Sequence, residues 1–280
     1  MENSLVYGIH QDDESEIGSA IETCLKAIEV DEIIKEARYI ILKPNYVTDE
    51  NYCKGNVTNP NLLEAVIEYI KAINENTRLA IGEGGETSST KRAFDMNQLP
   101  ELCKRQGIKL IDFNHDDTET IEIEGAMSLT KPIKVAKNSL ECDLLISIPS
   151  LKTHSMAVTT LSLKNFMGTL SRKSIMHSNL KKKIVDLYSF FKPKAKFAII
   201  DGCPYGSEGF ECGGNPIKHD IILASKDLVA LDTVGTCAMG IDPANVGYLQ
   251  VAGGRGFGNN TMDNIVVKGI DINKHVIKYR

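Results

Sequence analysis

The sequence predicts an α/β fold in which helices flank a largely parallel β-sheet, with a small irregular β insertion near residues 116–137. Short apolar runs typical of buried strands alternate along the chain with helix-like stretches of ten or more residues, which is the pattern of βαβ units. Between residues 116 and 137 the pattern changes. Polar Thr120 and Glu122 alternate with apolar Ile121 and Ile123, as expected for a β-hairpin.

The individual elements follow from local signals. Residues 11–37 are rich in acidic side chains, which indicates the solvated face of a helix. Asn59 followed by Pro60 is a favourable helix start, because asparagine caps the free N–H groups and proline lacks an N–H that would have no partner there. Ser225 is predicted to cap a later helix. The other predicted strands are 39–42, 78–81, 108–113, 144–148, 196–200, 221–224 and 264–267, and the other predicted helices are 62–70, 91–106, 156–166, 179–190 and 228–239.

Composition limits the class of protein. With 42% hydrophobic and 25% charged residues, the 280-residue chain has enough apolar material for a sizeable core. We expect one α/β domain over residues 1–280, with two lobes as the alternative. The net charge of −5 argues against a general nucleic-acid binder. We expect neither a signal peptide nor a membrane span, and the seven scattered cysteines favour a reducing cytoplasm.

The segment 143–170 presents the first physical problem. Its strand-like run ends at Pro149, and the predicted helix 156–166 is apolar or small on nearly every face yet contains Lys164. A helix that is apolar all round is expected to be buried, and a buried ammonium is costly unless it is paired. Asp232, inside another apolar helix, is the natural partner of Lys164. Direct contact between Lys164 and a ligand is the alternative.

Polar or glycine-rich clusters follow four predicted strands, at residues 43–45, 82–85, 150–155 and 201–202. Ligands of open α/β sheets bind outside the carboxyl ends of the strands, so we expect these clusters to converge on one site. Lysines there would hold a carboxylate or phosphate together with the amides of the glycine turn, and a histidine and carboxylates would move protons. The turn and the histidine also have purely structural interpretations. The predicted catalytic residues are His154, Lys164, Glu83 and Asp201, and the predicted ligand-binding residues are Lys43, Asn45, Lys152, Thr160, Asn165 and Gly84.

No metal or cofactor is identified by spacing. Cys203 and Cys212 are too far apart for a CxxC motif, so a self-contained four-cysteine iron–sulfur or zinc site is not expected. The cofactor therefore stays unknown. Residues 172–196 are strongly basic, which indicates either a solvated surface or a docking face for an acidic ferredoxin-like partner.

Six motifs, in order over about 200 residues, resemble a known family. They are ILKPNYV, VTNPNLLEAVIEYI, IGEGG, IPSLKTHSMAVTTLSLKN, IIDGCPYGSEGF and LASKDLVALDTVG. Together they resemble the family called domain of unknown function 362. Many members carry an additional ferredoxin-like region with four-cysteine clusters, whereas this sequence shows no such clusters. The resemblance implies shared site residues at Lys43, Asn45, Glu83, Lys152, His154, Lys164, Asn165, Asp201 and Asp232.

Three functions follow as hypotheses. The first is a cytoplasmic enzyme that acts on a small anionic metabolite, a carboxylate or a phosphate, by lysine and histidine acid–base chemistry. The second is a redox or iron–sulfur-associated protein that binds a metal centre or a ferredoxin-like partner. The third is a noncatalytic metabolite-binding protein that uses the same pocket.

Overall fold

The structure, a computed structural model, describes residues 3–85, 90–208 and 214–279. The strands in this part of the chain are β1 (Ser4–His10), β2 (Tyr39–Pro44), β3 (Arg78–Glu83), β4 (Lys109–Asp112), β5 (Thr118–Ile121), β6 (Ile133–Ala136), β7 (Leu144–Ile148), β8 (Lys152–His154), β9 (Val158–Thr160), β10 (Ala198–Gly202), β11 (Tyr205–Glu208), β12 (Asn215–Lys218), β13 (Ile221–Ser225) and β14 (Ile265–Lys268).

The α-helices in the same ranges are α1 (Ile17–Ala27), α2 (Asp31–Glu36), α3 (Pro60–Ile73), α4 (Thr90–Met96), α5 (Leu99–Gln106), α6 (Lys137–Glu141), α7 (Ser162–Asn165), α8 (Leu180–Phe191), α9 (Leu228–Ala238) and α10 (Gly247–Gly254). Short 3₁₀ segments join several of them, including Phe166–Thr169 and Lys173–Met176. None of the helices in the described ranges is both long enough and apolar enough to cross a membrane.

One large sheet organises the molecule. Its eight strands lie in the order β14-β1-β13-β10-β7-β2-β3-β4. The neighbours from β10 to β4 are all parallel, and β13 is antiparallel to both β10 and β1. The prediction of a largely parallel sheet with flanking helices is therefore confirmed.

Helices cover both faces of this sheet, because its central strands are apolar on both sides. On β2, Ile40 and Leu42 face a core built with α1 to α5, and Ile41 faces a second core built with α7 to α10. All three side chains are fully buried. Parallel strands covered on both faces are expected to be continuous apolar runs, as these are.

Two smaller sheets complete the fold. Strands β5 and β6 form an antiparallel pair, which confirms the predicted insertion near residues 116–137. A four-stranded sheet in the order β12-β11-β8-β9 was not predicted. Its strands are short and pair residues that are distant in sequence, as in the contact between Ser207 and Lys152. Local periodicity carries no signal for such pairing.

The predicted helix 156–166 is wrong. The chain forms the antiparallel pair β8–β9 first, and helix α7 covers only Ser162–Asn165. The reversal between the strands includes the backbone N–H groups of Met156 and Ala157, which donate to the His154 ring. Val158, at the start of β9, has a φ of 71°. This left-handed conformation is rare for a β-branched residue, so the sequence did not indicate a turn there.

Other boundaries differ in smaller ways. The predicted helix 91–106 is divided into α4 and α5, because Gln98 adopts a left-handed conformation with a φ of 54°. Asp227, not Ser225, caps α9: its carboxylate accepts from the N–H groups of Val229 and Ala230. Ser225 instead accepts from the N–H of Asp227.

The apolar pattern of the sequence did not predict strand β1. Cys212 and the end of the IIDGCPYGSEGF motif lie outside the described residues.

Candidate functional site

A cavity of about 540 Å³ lies where the direction of strand addition changes. The chain runs from β2 outward through β3 and β4, and β7 is then added on the opposite side of β2. At such a switch point the connections that leave neighbouring strands run in opposite directions, and a crevice is left outside the carboxyl ends of these strands. Seven of the ten predicted site residues line this cavity: Asn45, Glu83, Gly84, His154, Thr160, Lys164 and Asn165.

A buried ion pair between Lys43 and Glu83 lies next to this cavity. Lys43 Nζ lies 2.6 Å from Glu83 Oε2, and the two side chains are 0% and 3% exposed. The same ammonium donates to Asn165 Oδ1 at 3.1 Å and to the Pro44 carbonyl at 3.0 Å. These three acceptors use all the hydrogens of the ammonium. Lys43 itself does not line the cavity, whereas Glu83 does.

The electrostatics of this pair depend on its enclosure. Burial lowers the pKa of Lys43, and the charge and hydrogen bond of Glu83 oppose that change. The second oxygen of Glu83 accepts the Gly84 N–H at 2.9 Å. The Gly84 N–H is therefore used by the Glu83 carboxylate. It does not support the prediction that the glycine turn holds an anion.

Asn165 fixes the orientation of Asn45. Its Nδ2 donates to the Lys43 carbonyl and to Ser147 Oγ, so its Oδ1 faces Lys43 Nζ and Asn45 Nδ2. Asn45 Oδ1 is then left without a hydrogen-bond partner in the described part of the chain, as is Thr160 Oγ1. Both residues line the cavity. Buried polar atoms are usually paired, so these two oxygens are exceptions, and they belong to residues of the cavity wall.

His154 is held in one tautomer. Its Nδ1 accepts the N–H groups of Met156 at 3.0 Å and Ala157 at 3.2 Å. An imidazole nitrogen that accepts hydrogen bonds carries no proton, so the neutral ring has its proton on Nε2. The side chain is 7% exposed and lines the cavity. His154 is paired in register with Val158, so the strained residue lies beside the histidine.

Positive charge in the cavity comes from Lys164, Arg172 and Lys173. Lys164 is half-buried, not enclosed as the helix prediction implied. Lys173 Nζ donates to Asn114 Oδ1 at 2.5 Å and to the Leu170 carbonyl at 3.2 Å. Burial lowers the pKa of Lys173; the nearby Glu83 raises it, and Lys43 lowers it further.

Arg172 and Lys173 were not predicted as site residues. Their only sequence signal was the basic segment 172–196, which was interpreted as a solvated or docking surface. His177, in the same segment, is exposed but also lines the cavity.

Two predicted site residues have structural contacts away from the cavity. Lys152 Nζ donates to the Asn56 carbonyl at 2.8 Å. The Asp201 carboxylate accepts the N–H of Asn59 at 2.7 Å and that of Cys203 at 3.1 Å. Burial raises the pKa of Asp201 to about 7, although the two backbone hydrogen bonds oppose the change. Because Asn59 caps α3, Asp201 helps to anchor the start of that helix.

Asp232 does not pair with Lys164 in the part of the chain that the structure describes. Its carboxylate accepts the N–H groups of Ser162 and Leu163, at 2.8 and 3.0 Å, and the Ser162 hydroxyl at 2.5 Å. Burial raises the pKa of Asp232 to about 7, and the Ser162 and Leu163 hydrogen bonds oppose this. Asp232 therefore caps the short helix that carries Lys164 and Asn165, and this positions the cavity wall.

No cluster of three or more metal-binding side chains occurs in ranges 3–85, 90–208 and 214–279. The six cysteines within those ranges are free thiols. The ionisable side chains among the described residues of the lining are lysines, an arginine, histidines and one carboxylate, a set suited to binding an anion and moving protons.

The fold and this cavity define the class as an α/β protein with a cationic crevice at the switch point of its sheet. The family model described as "Domain of unknown function (DUF362)" matches residues 40–237, which is more than half of the chain. The chain therefore belongs to that family, and the sequence-based identification is confirmed.

Two known proteins show how far the similarity extends. "Thylakoid-associated protein sll1697" of Synechocystis sp. (strain ATCC 27184 / PCC 6803 / Kazusa) is 22% identical over 220 residues, which cover 76% of this chain and 66% of that protein. The lactate racemase apoprotein from Thermoanaerobacterium thermosaccharolyticum matches with a TM-score of 0.52 at 12% identity, covering 86% of this chain and 58% of that one. This chain spans less than two thirds of each, and the structural match shows the fold alone.

Proposed function

We propose that the protein is an enzyme that binds a small metabolite carrying a carboxylate or phosphate, with Lys164, Arg172 and Lys173 holding the anion. One observation carries the proposal: three cationic side chains line one cavity of a chain whose net charge is −5. Glu83 is the one acidic residue among the described residues of the lining, and Lys43 neutralises it. The described residues of the lining therefore include more cationic than acidic side chains, a composition that favours an anionic ligand.

The size and the walls of the cavity support a small ligand. Its volume of about 540 Å³ is in the range of small-molecule sites. Met156, Met167 and Leu180 add apolar surface to the lining. A ligand with one anionic end and a short carbon skeleton matches both kinds of wall.

Proton transfer is the reaction type that His154 and Glu83 favour. The neutral His154 ring has its proton on Nε2, and Glu83 contributes a carboxylate to the same lining. Because Nδ1 is occupied, the neutral ring can only donate from Nε2, so His154 is suited to polarise a substrate oxygen by a hydrogen bond, and the Glu83 carboxylate is the group that would accept a proton. Noncatalytic binding would use the same cations, so turnover separates the two hypotheses. The redox hypothesis, with a ferredoxin-like partner, stays a prediction.

The proposal predicts that anions stabilise the protein through the cavity cations. Inorganic phosphate, pyruvate, citrate and a metabolite extract are each added in a thermal-unfolding assay at low ionic strength. At least one should raise Tm in the wild type, and the Lys164→Ala/Lys173→Ala variant should lose most of that rise, because two charges of the anion site are removed.

The matched control is Lys181→Ala/Lys192→Ala, which removes two exposed lysines and changes net charge equally. It should keep the full rise in Tm. If both double variants respond like the wild type, the anion does not bind in this cavity. For catalysis, mass spectrometry of the extract should show a metabolite consumed by the wild type and spared by His154→Gln; loss of the same metabolite with both proteins would remove His154 from the reaction.

A further inference from the structure

We infer that Lys173 is the amine nucleophile of this cavity and forms an imine with the carbonyl carbon of a small anionic oxo compound, such as a 2-oxo acid or an oxo phosphate. The inference rests on the proposed function, because Lys164 and Arg172 would hold the anionic group of the same molecule. It adds the substrate class and a covalent step that anion binding alone does not require.

The hydrogen bonds of Lys173 involve only neutral acceptors and leave one position on Nζ facing the cavity, which is a hydrogen in the ammonium form and the lone pair in the amine form. Lys173 Nζ has two acceptors, Asn114 Oδ1 at 2.5 Å and the Leu170 carbonyl at 3.2 Å. A neutral primary amine has two hydrogens and one lone pair. When both hydrogens are used by these acceptors, the lone pair is free to face the cavity that Lys173 lines.

Asn114 is itself held with its oxygen toward the amine. Its Nδ2 donates to the Gly85 carbonyl at 3.2 Å and to Thr90 Oγ1 at 2.9 Å. The amide group therefore cannot turn its NH₂ toward Lys173 without losing two hydrogen bonds. A fixed neutral acceptor positions the amine without supplying the negative charge that would keep it protonated.

The charges around Lys173 act in both directions. Burial of the side chain lowers its pKa, and Lys43 on β2 lowers it further. Glu83 on β3 and Asp112 on β4 raise the pKa, but Glu83 is already bound to Lys43 and Asp112 to His115. The net effect is a pKa of Lys173 below the ordinary value for lysine. The ammonium form helps to hold an anion, and the amine form, whose fraction near neutral pH is increased by the lowered pKa, is the form that reacts.

The step balances without an external oxidant or reductant. The Nζ lone pair attacks the carbonyl carbon, a C–N bond forms, and the C=O π electrons move to oxygen. A proton passes from nitrogen to that oxygen to give a carbinolamine. The remaining proton of the nitrogen passes through solvent to the hydroxyl, the C–O bond breaks, and water leaves as the C=N bond forms.

Reductive trapping tests this inference. Pyruvate, 2-oxoglutarate and dihydroxyacetone phosphate are each incubated with the protein, sodium borohydride is added, and peptides are mapped by mass spectrometry. For at least one probe, the reduced adduct should map mainly to Lys173. Trapping should reach half of its maximum at a lower pH than trapping at the exposed Lys192.

Lys173→Arg is the decisive variant, because arginine keeps the positive charge but is not a nucleophilic amine. It should lose the adduct while keeping the rise in Tm given by the same probe, and Lys192→Arg should behave as the wild type. An adduct that maps to Lys164, or binding of a probe without any adduct at Lys173, would overturn the inference and leave the proposed function intact. If none of the three oxo compounds binds, the inference fails, and inorganic phosphate still tests the proposed function separately.

Discussion

Replacing Lys43 with methionine is expected to lower the free energy of unfolding by about 3–5 kcal/mol, the usual cost of removing one partner of a buried ion pair. Methionine fills a similar volume, so the loss is electrostatic. It leaves the Glu83 carboxylate buried without its 2.6 Å partner and takes a donor from Asn165 Oδ1. Urea denaturation at pH 7 measures the change.

The matched control is Lys26→Met, which removes an ion pair with Glu22 whose side chains are 60% and 54% exposed. That change should cost less than about 0.5 kcal/mol. Adding Glu83→Gln to Lys43→Met should recover part of the lost stability, because the unpaired charge is gone. Equal effects of Lys43→Met and Lys26→Met would show that the buried pair contributes no more than a surface pair.

Gly168→Ala is expected to destabilise the protein by about 3 kcal/mol or more, because overpacking and disturbance of a buried ion pair add. A Cβ atom at Gly168 would lie 2.5 Å from Glu83 Oε1 and 2.7 Å from Lys43 Nζ. Both side chains are enclosed and bonded to each other, so neither can move aside cheaply. Chemical denaturation and the anion-dependent rise in Tm should both show the loss.

Gly18→Ala serves as its control. Gly18 lies in α1, and an added Cβ there meets nothing within 4 Å. Alanine should leave stability unchanged or raise it by up to about 1 kcal/mol, because glycine is a poor helix former. A Gly168→Ala protein as stable as the Gly18→Ala protein would mean that the ion pair is not held as closely as these distances indicate.

The position of the site was predictable because it depends on strand ends. Asn45, Glu83 and His154 each follow or end a strand that the apolar pattern or the resemblance marked. Parallel strands bring their carboxyl ends to one edge whatever the connecting segments do. The same rule selected Asp201, which lies one residue before the end of β10, although its carboxylate is used to anchor α3.

The predictions that failed concerned segments whose structure depends on contacts with distant parts of the chain. The 156–166 stretch was apolar enough for a buried helix, but residues 158–160 pair with β8, which itself pairs with β11, and the turn at His154 completes a hairpin. The basic segment 172–196 was treated as one surface. In the structure, Lys173 turns to the cavity, and Lys183 is bound to the Ile175 carbonyl. Charge along a sequence does not show which face each side chain takes.

The location of a bound anion tests the central claim most directly. Crystals soaked in sodium tungstate, an anion with a strong anomalous signal, would show where the protein holds an oxyanion. We predict an anomalous peak in the cavity within hydrogen-bond distance of Lys173, Lys164 or Arg172, and no such peak in crystals of Lys164→Ala/Lys173→Ala. Tungstate bound elsewhere on the wild-type protein, with the cavity empty, would contradict the account.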